Sequence, residues 1–222
     1  PVVPRSGYVV EINALWYNAL MFNADMLMSA GRSDDADKCS ALAEKVGASF
    51  KEVFLNEHGY LLDYVDGDYI SWSVRPNMLV ASSLEYSPLS VPERKKILDI
   101  CTKELLTPKG IRSLSPKSGG YNPVYCGGQM QRDAAYHQGT VWPWMSGFYL
   151  ETSLKVYKKS AISWVDRCFA GLEEEMFYHC IGTLPELFDG NPPFSGRGAL
   201  SFAMNVSAVL RVNKELSKFY NY

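Results

Sequence analysis

A chain of 222 residues is long enough to bury one sizeable core. Its 22 Lys and Arg are scattered against 24 Asp and Glu, for a formal charge of −2, so no basic stripe marks it as a nucleic-acid binder. The apolar runs are too short to span a bilayer, and the opening PVVPRSGYVVEI lacks the basic start and apolar body of a secretion signal.

Helical periodicity predicts seven helices, taken here in chain order. The first, EINALWYNALMFNADMLMSAG, sets Ile12, Leu15, Trp16, Ala19 and Leu20 at helical spacing and ends at Gly31. The second, DDADKCSALAEKVGASFKEVFL, follows Ser33 as N-cap, with acidic residues in its first turn. A third begins near Pro76 in RPNMLVASSLEY, and a fourth, VPERKKILDICTKELL, has Ser90 as its cap and Pro92 in its opening turn. The fifth runs through TVWPWMSGFYLETSLKVY, the sixth through SAISWVDRCFAGLEEEMFYHC and the seventh through LSFAMNVSAVLRVNKELSKFY.

Between them lie long loops rich in Gly, Pro, Asp and aromatics: GYLLDYVDGDYISWSVRP, TPKGIRSLSPKSGGYNPVYCGGQMQRD and GTLPELFDGNPPFSGRG. Loops of this length in a compact domain usually carry function. The expected class is all-α, with chemistry at helix ends and short hairpins confined to the loops. No linker or strict repeat divides the chain, so residues 1–222 read as one domain.

The five cysteines, at 39, 101, 126, 168 and 180, are odd in number and form no CxxC pair. Buried free thiols in a reducing cytoplasm are the expectation. Three dispersed histidines suggest no metal cluster, and no cofactor is expected. Asp63, Asp66 and Asp68 raise calcium as an alternative, but neither EF-hand spacing nor a closing Glu follows.

The stretch DAAYHQGTVWPW, from Asp133 to Trp144, concentrates aromatic and hydrogen-bonding side chains. Sugar rings present flat C–H faces rimmed by hydroxyls, so a sugar pocket calls for aromatic platforms edged by polar groups. Tyr136, Trp142 and Trp144 offer platforms, with Trp144 the one best explained as core. Arg132, Asp133, His137 and Gln138 offer a rim, and Gly139 permits close backbone approach. Arg75 can fork onto hydroxyls or a carboxylate and Asn77 can both donate and accept, which suits a pocket wall. A structural pair of Arg75 with Asp63 is the alternative.

PRSGYVVEINALWYNAL, GYLLDYVDGD, SVRPN, LLTPKGIRSLSP, RDAAYHQGTVWPW and GTLPELFDGNPP occur in this order. Together they resemble the C-terminal glucosidase region of glycogen debranching enzymes, the amylo-α-1,6-glucosidase family, from Pro4 to about Arg211. The resemblance implies an (α/α)6 toroid, of which this chain is an incomplete C-terminal part. It also implies hydrolysis of α-1,6 branch linkages in glycogen-like glucans or limit dextrins. Inverting hydrolysis uses an acid that protonates the leaving oxygen and a base that activates water, roughly 6.5–9.5 Å apart.

By resemblance, Glu186 in GTLPELFDG is the general base, in a loop stiffened by Pro185 and turned by Gly190. The general-acid Asp is expected in a segment upstream of this chain, so the chain alone is expected to hydrolyse little. Glu11 and Asn13 turn toward the sugar with Trp16 beneath, again by resemblance. Compensation of a helix dipole explains Glu11 equally well.

Phe202, Met204 and Asn205 depart from the Gln, Trp and Ser of the family pattern, and Met78 replaces a Gln. Loss of polar groups from a pocket wall would change substrate recognition. The alternative function is a catalytically silent glucan-binding or scaffold protein. An incomplete ring would expose apolar helix faces, favouring a homodimer or association with the missing N-terminal region.

Overall fold

The structure is a computed structural model and describes residues 3–220. Eight α-helices and eight strands of two or three residues are present among the described residues. The helical class expected from periodicity is what the chain adopts. The backbone divides into two compact units, one of residues 5–72 and 77–97, the other of residues 73–76 and 98–220 with the start of the chain.

In the first unit, α1 (Val10–Ser29) packs antiparallel to α2 (Ser33–Phe54). Val10, Ala14, Leu20 and Ala24 of α1 meet Ala36, Ala43, Phe50 and Phe54 of α2 in the core. Small alanines at the helical repeat let the two backbones come close, and the phenyl rings fill the far end. Gly31 closes α1 in a Schellman turn: its N–H donates to Met28 O (3.0 Å) and that of Arg32 to Leu27 O (2.9 Å). Ser33 is the first residue of α2 and not its cap. Arg32 holds that position without a side-chain cap bond, and Asp34 and Asp35 face the dipole instead.

The short helix α3 (Met78–Ser83) is buried throughout, Met78 included, so that methionine is core and not pocket wall. The strands β1 (Tyr8–Val9), β2 (Tyr64–Asp66) and β3 (Tyr69–Ile70) form an antiparallel sheet with Tyr8 opposite Val65 and Asp66 opposite Tyr69. Ser90 stands just before α4 (Val91–Glu104), where Glu93 accepts from its backbone N–H (2.6 Å) and its hydroxyl (2.8 Å).

The second unit is organised by α6 (Pro143–Tyr157), whose inner face, including Met145, Tyr149, Leu150 and Leu154, is buried. It packs against α7 (Ile162–Glu173) and α8 (Ala203–Tyr220). Short 3-10 turns, Lys158–Ala161 and Glu174–Phe177, flank α7, so the predicted sixth helix is broken at both ends.

Five strands make an antiparallel ribbon in chain order: β4 (Leu106–Thr107), β5 (Gly110–Arg112), β6 (Val141–Trp142), β7 (Leu187–Phe188) and β8 (Gly196–Arg197). This ribbon matters most for function, because Val141 opposite Phe188 sets the aromatic segment beside the PELFD loop. The sequence reading had no counterpart for α5 (Gln129–Ala135), which leads into that segment.

Cysteine placement departs from expectation. Cys101 is buried, but Cys126 and Cys180 are exposed, and all five thiols are free. No helix of the described residues is long and apolar enough to cross a membrane.

Candidate active site

Glu186 sits immediately before β7 and is half-buried, not free in solvent. Its Oε1 accepts a short hydrogen bond from the phenol of Tyr136, and its Oε2 accepts the N–H of Ala199 at 2.9 Å. The Glu186 backbone N–H donates to Ala199 O at 2.8 Å, so the same neighbouring residue pins main chain and side chain. Gly198 makes this approach feasible. It adopts φ +73°, and a Cβ there would lie 2.4 Å from Oε2.

Tyr136 follows α5 and lies at the centre of an aromatic cluster. Its ring is 4.7 Å from His137, 4.8 Å from Trp142 and 5.6 Å from Tyr125, centroid to centroid. Burial, followed by its bond to the Glu186 carboxylate, raises the Tyr136 pKa well above the ordinary tyrosine value, so the phenol remains a donor.

Trp142 is buried, with its indole N–H donating to Tyr136 O (3.0 Å) and Thr140 Oγ1 (3.1 Å). His137 stacks on it at 5.5 Å and 24°. Trp142 therefore backs the site, and exposed His137 and half-buried Tyr136 present its accessible rings. Although one face of the ring is open, desolvation against its neighbours, then the positive charge of Arg75, pushes the His137 pKa below the ordinary histidine value. At neutral pH His137 can offer one donor and one acceptor.

Arg75 is buried and acts as a brace. Its guanidinium donates to Ser113 O (3.1 Å), His137 O (2.6 Å) and Gln138 Oε1 (2.5 Å), which fixes the His137–Gln138 turn. Gly139 then lets the Tyr121 ring lie against the backbone, where a Cβ would fall 2.4 Å from it. Arg132 and Asp133 lie on α5, Arg132 donating to Gly127 O at 2.8 Å and Asp133 exposed. Trp144, in the first turn of α6, pairs with Phe148 at 5.8 Å.

The other sequence-predicted residues belong to the first unit. Arg5 forks onto both oxygens of Glu11 (2.5 and 2.7 Å) and both oxygens of Asp63 (2.9 Å each). Asn77 donates to Asp63 Oδ1 at 2.7 Å. Burial disfavours the Arg5 charge, but the hydrogen bonds and charges of Glu11 and Asp63 outweigh it, and the net pKa shift is upward. Asn13 donates to Val9 O (2.8 Å). With exposed Trp16, Tyr8 and Lys45 it lines a cleft of about 460 Å3.

Several participants were not singled out in the sequence. Arg5 was visible only as part of a motif. Asp189, buried beside the ribbon, accepts from Tyr125 N (2.8 Å) and from Arg197 Nε (2.9 Å) and Nη2 (2.7 Å). It thereby ties the Tyr125 loop and β8 to the strand that follows Glu186. The GRG triplet at 196–198 was the available signal, since paired glycines around a charge mark close backbone approach.

Helices linked by a short-stranded ribbon, with a carboxylate held among aromatic rings at one loop, make up this largely helical fold. Solved structures share that fold. One is a sialidase (TM-score 0.71, 14% identical, 91% of this chain and 19% of that one). Another is neutral trehalase from Saccharomyces cerevisiae (0.66, 14%, 95% and 40%). A third is the mannosylglycerate hydrolase from Thermus thermophilus (0.63, 14%, 93% and 45%). The fold is thus all-α and of the toroid type, and this chain covers part of it.

The chain belongs to the amylo-alpha-1,6-glucosidase family, whose model matches residues 1–211. It is 27% identical over 186 residues to the glycogen debranching enzyme of Saccharomyces cerevisiae, a match covering 68% of this chain and 12% of the yeast protein.

Proposed function

We propose that residues 1–222 are the C-terminal, base-bearing portion of an α-1,6-glucosidase that removes branch-point glucose from glycogen-like glucans with inversion. The observation that carries this reading is the environment of Glu186, held from two sides by Tyr136 and Ala199 beside accessible rings. A carboxylate oxygen has room for more than one hydrogen bond, so Oε1 and Oε2 can each still meet a water. Fixed orientation of the base toward that water is what general-base catalysis requires.

In this reading Tyr136 and His137 meet the sugar, Trp142 supports them, and Gln138, Arg132 and Asp133 edge the pocket. Arg75 acts from behind, by holding the turn. The acid that completes an inverting pair is supplied from outside this chain, so the isolated chain hydrolyses little. In the first unit, Trp16 and Asn13 offer an aromatic and an amide edge to a glucan, and the Arg5-clamped Glu11, Asp63 and Asn77 supply a fixed polar surface.

Ile12, Leu15, Phe22 and Met26 fall on one side of α1 and are exposed, while its opposite side is core. A contiguous exposed apolar helix face marks a contact surface. This face is proposed to be covered by further helices of the same enzyme or by a second copy.

The test is glucose release from a limit dextrin by the full-length protein, with and without Glu186→Gln. The variant is expected to lose activity by about a thousandfold or more, as for removal of an essential base. Undiminished release would dispose of Glu186 as the base.

A further inference from the structure

The side-chain amide of Asn205 is fully buried, with both its nitrogen and its oxygen hydrogen-bonded. Its Nδ2 donates to Pro185 O (2.6 Å) and to Glu186 O (2.9 Å), and its Oδ1 accepts the N–H of Trp144 (2.9 Å). Trp144 lies in the first turn of α6, where backbone N–H groups have no partner within the helix. Trp142, at the cap position, makes no side-chain cap bond. Asn205 therefore caps α6 from a distant part of the chain while gripping the two peptide carbonyls that flank the Glu186 Cα.

We propose that Asn205 is the positioning residue for Glu186: it couples the carboxylate-bearing loop to the start of the helix that follows the aromatic segment. This rests on the reading of Glu186 as the general base and adds the means by which that base is aimed. Asn205 touches no substrate and acts through the loop backbone.

All three bonds together need an amide. Two hydrogens must point at two carbonyls, while one oxygen points at an N–H. A serine hydroxyl can accept from Trp144 and donate to one carbonyl only. An aspartate can accept from Trp144, but it would set negative oxygen against two carbonyl oxygens in a buried site. The expected order of function is therefore Asn, then Ser, then Asp. That order differs from size, since Asp is nearly isosteric with Asn.

The experiment is steady-state kinetics of the full-length protein on a limit dextrin, for Asn205→Ser, Asn205→Asp and, in parallel, Glu186→Gln. Folded fraction is measured by thermal unfolding, and rates are expressed per folded molecule. Asn205→Ser should lower kcat about tenfold and Asn205→Asp about a hundredfold, with KM within about threefold, because a misaimed base harms the reaction step more than binding. Should Asn205→Asp fail to fold, the loss in Asn205→Ser decides.

A kcat per folded molecule within about twofold of the parent in Asn205→Ser would overturn the positioning role. So would a loss carried wholly by KM. Either result, alongside an inactive Glu186→Gln, leaves the base assignment standing. An active Glu186→Gln would remove that assignment, and the positioning role with it.

Discussion

The phenol of Tyr136 donates its hydrogen bond to Oε1 of Glu186, across a separation of 50 residues in sequence. This contact joins the aromatic stretch to the acidic loop. It also makes the tyrosine hydroxyl part of the carboxylate's own environment.

Tyr136→Phe removes that donor while keeping the ring. The bond is charge-assisted, so the expected cost to the reaction step is about 1.5–3 kcal/mol, or roughly a ten- to hundredfold loss in kcat. Single-turnover rates on an α-1,6-linked glucan check it. A rate equal to the parent's would mean the hydroxyl contributes nothing to catalysis.

Tyr136 also predicts an alkaline signature in stability. Its pKa is higher folded than unfolded, so the fold gains stability that is complete below the unfolded value near 10. That gain is lost as pH rises above this value toward the folded one. Urea unfolding between pH 9 and 11, compared with Tyr136→Phe, should show the steeper fall in the parent.

His137 acts at the other end of the scale. Its folded pKa is depressed, so its contribution is present above the unfolded value near 6.5 and is lost as pH falls through the folded one. Denaturant midpoints measured from pH 7.5 down to 5 should decline more in the parent than in His137→Asn. Parallel curves would show that His137 does not titrate differently on folding.

At Gly198 the prediction is steric. With φ +73° and the Glu186 carboxylate where a Cβ would stand, Gly198→Ala must move that carboxylate. Displacement by about an ångström costs on the order of a hundredfold in rate. The readout is kcat per folded molecule, with KM nearly unchanged.

Asp189 supports the loop through charge. Asp189→Asn leaves Arg197, itself part-exposed, without its anionic partner, and is expected to cost about 2 kcal/mol, below the figure for a fully buried pair. Chemical unfolding measures this directly. A change under about 0.5 kcal/mol would place the pair among surface ion pairs.

These relationships were unevenly visible in the residue string. The long helices could be read because their apolar residues repeat at 3.6, and α1, α2, α6 and α8 stand close to where that period put them. The helix α5 was missed because QMQRDAA is short and polar, with no apolar stripe to reveal it. Strands of two or three residues carry no alternation, so the ribbon that aligns Trp142 and Glu186 had no local signature.

The family resemblance singled out Glu186, and residue types singled out Tyr136 and His137, but neither indicated which ring would be open. Trp142, expected as a platform, is covered by His137, because only tertiary packing decides which face of an indole meets solvent. Asn205 appeared in the sequence merely as a departure from a family pattern. Its role depends on three backbone groups contributed by two distant segments, which no local window contains.

The most direct measurement is chemical rescue of Glu186→Ala in the full-length protein. Azide needs no base, and it would attack from the face where the activated water stands. With an α-1,6-linked glucan and added azide, the account predicts restored bond cleavage and β-glucosyl azide as the product, identified by NMR. An α-anomeric azide, or a Glu186→Ala variant that cleaves at the parent's rate without azide, would contradict it.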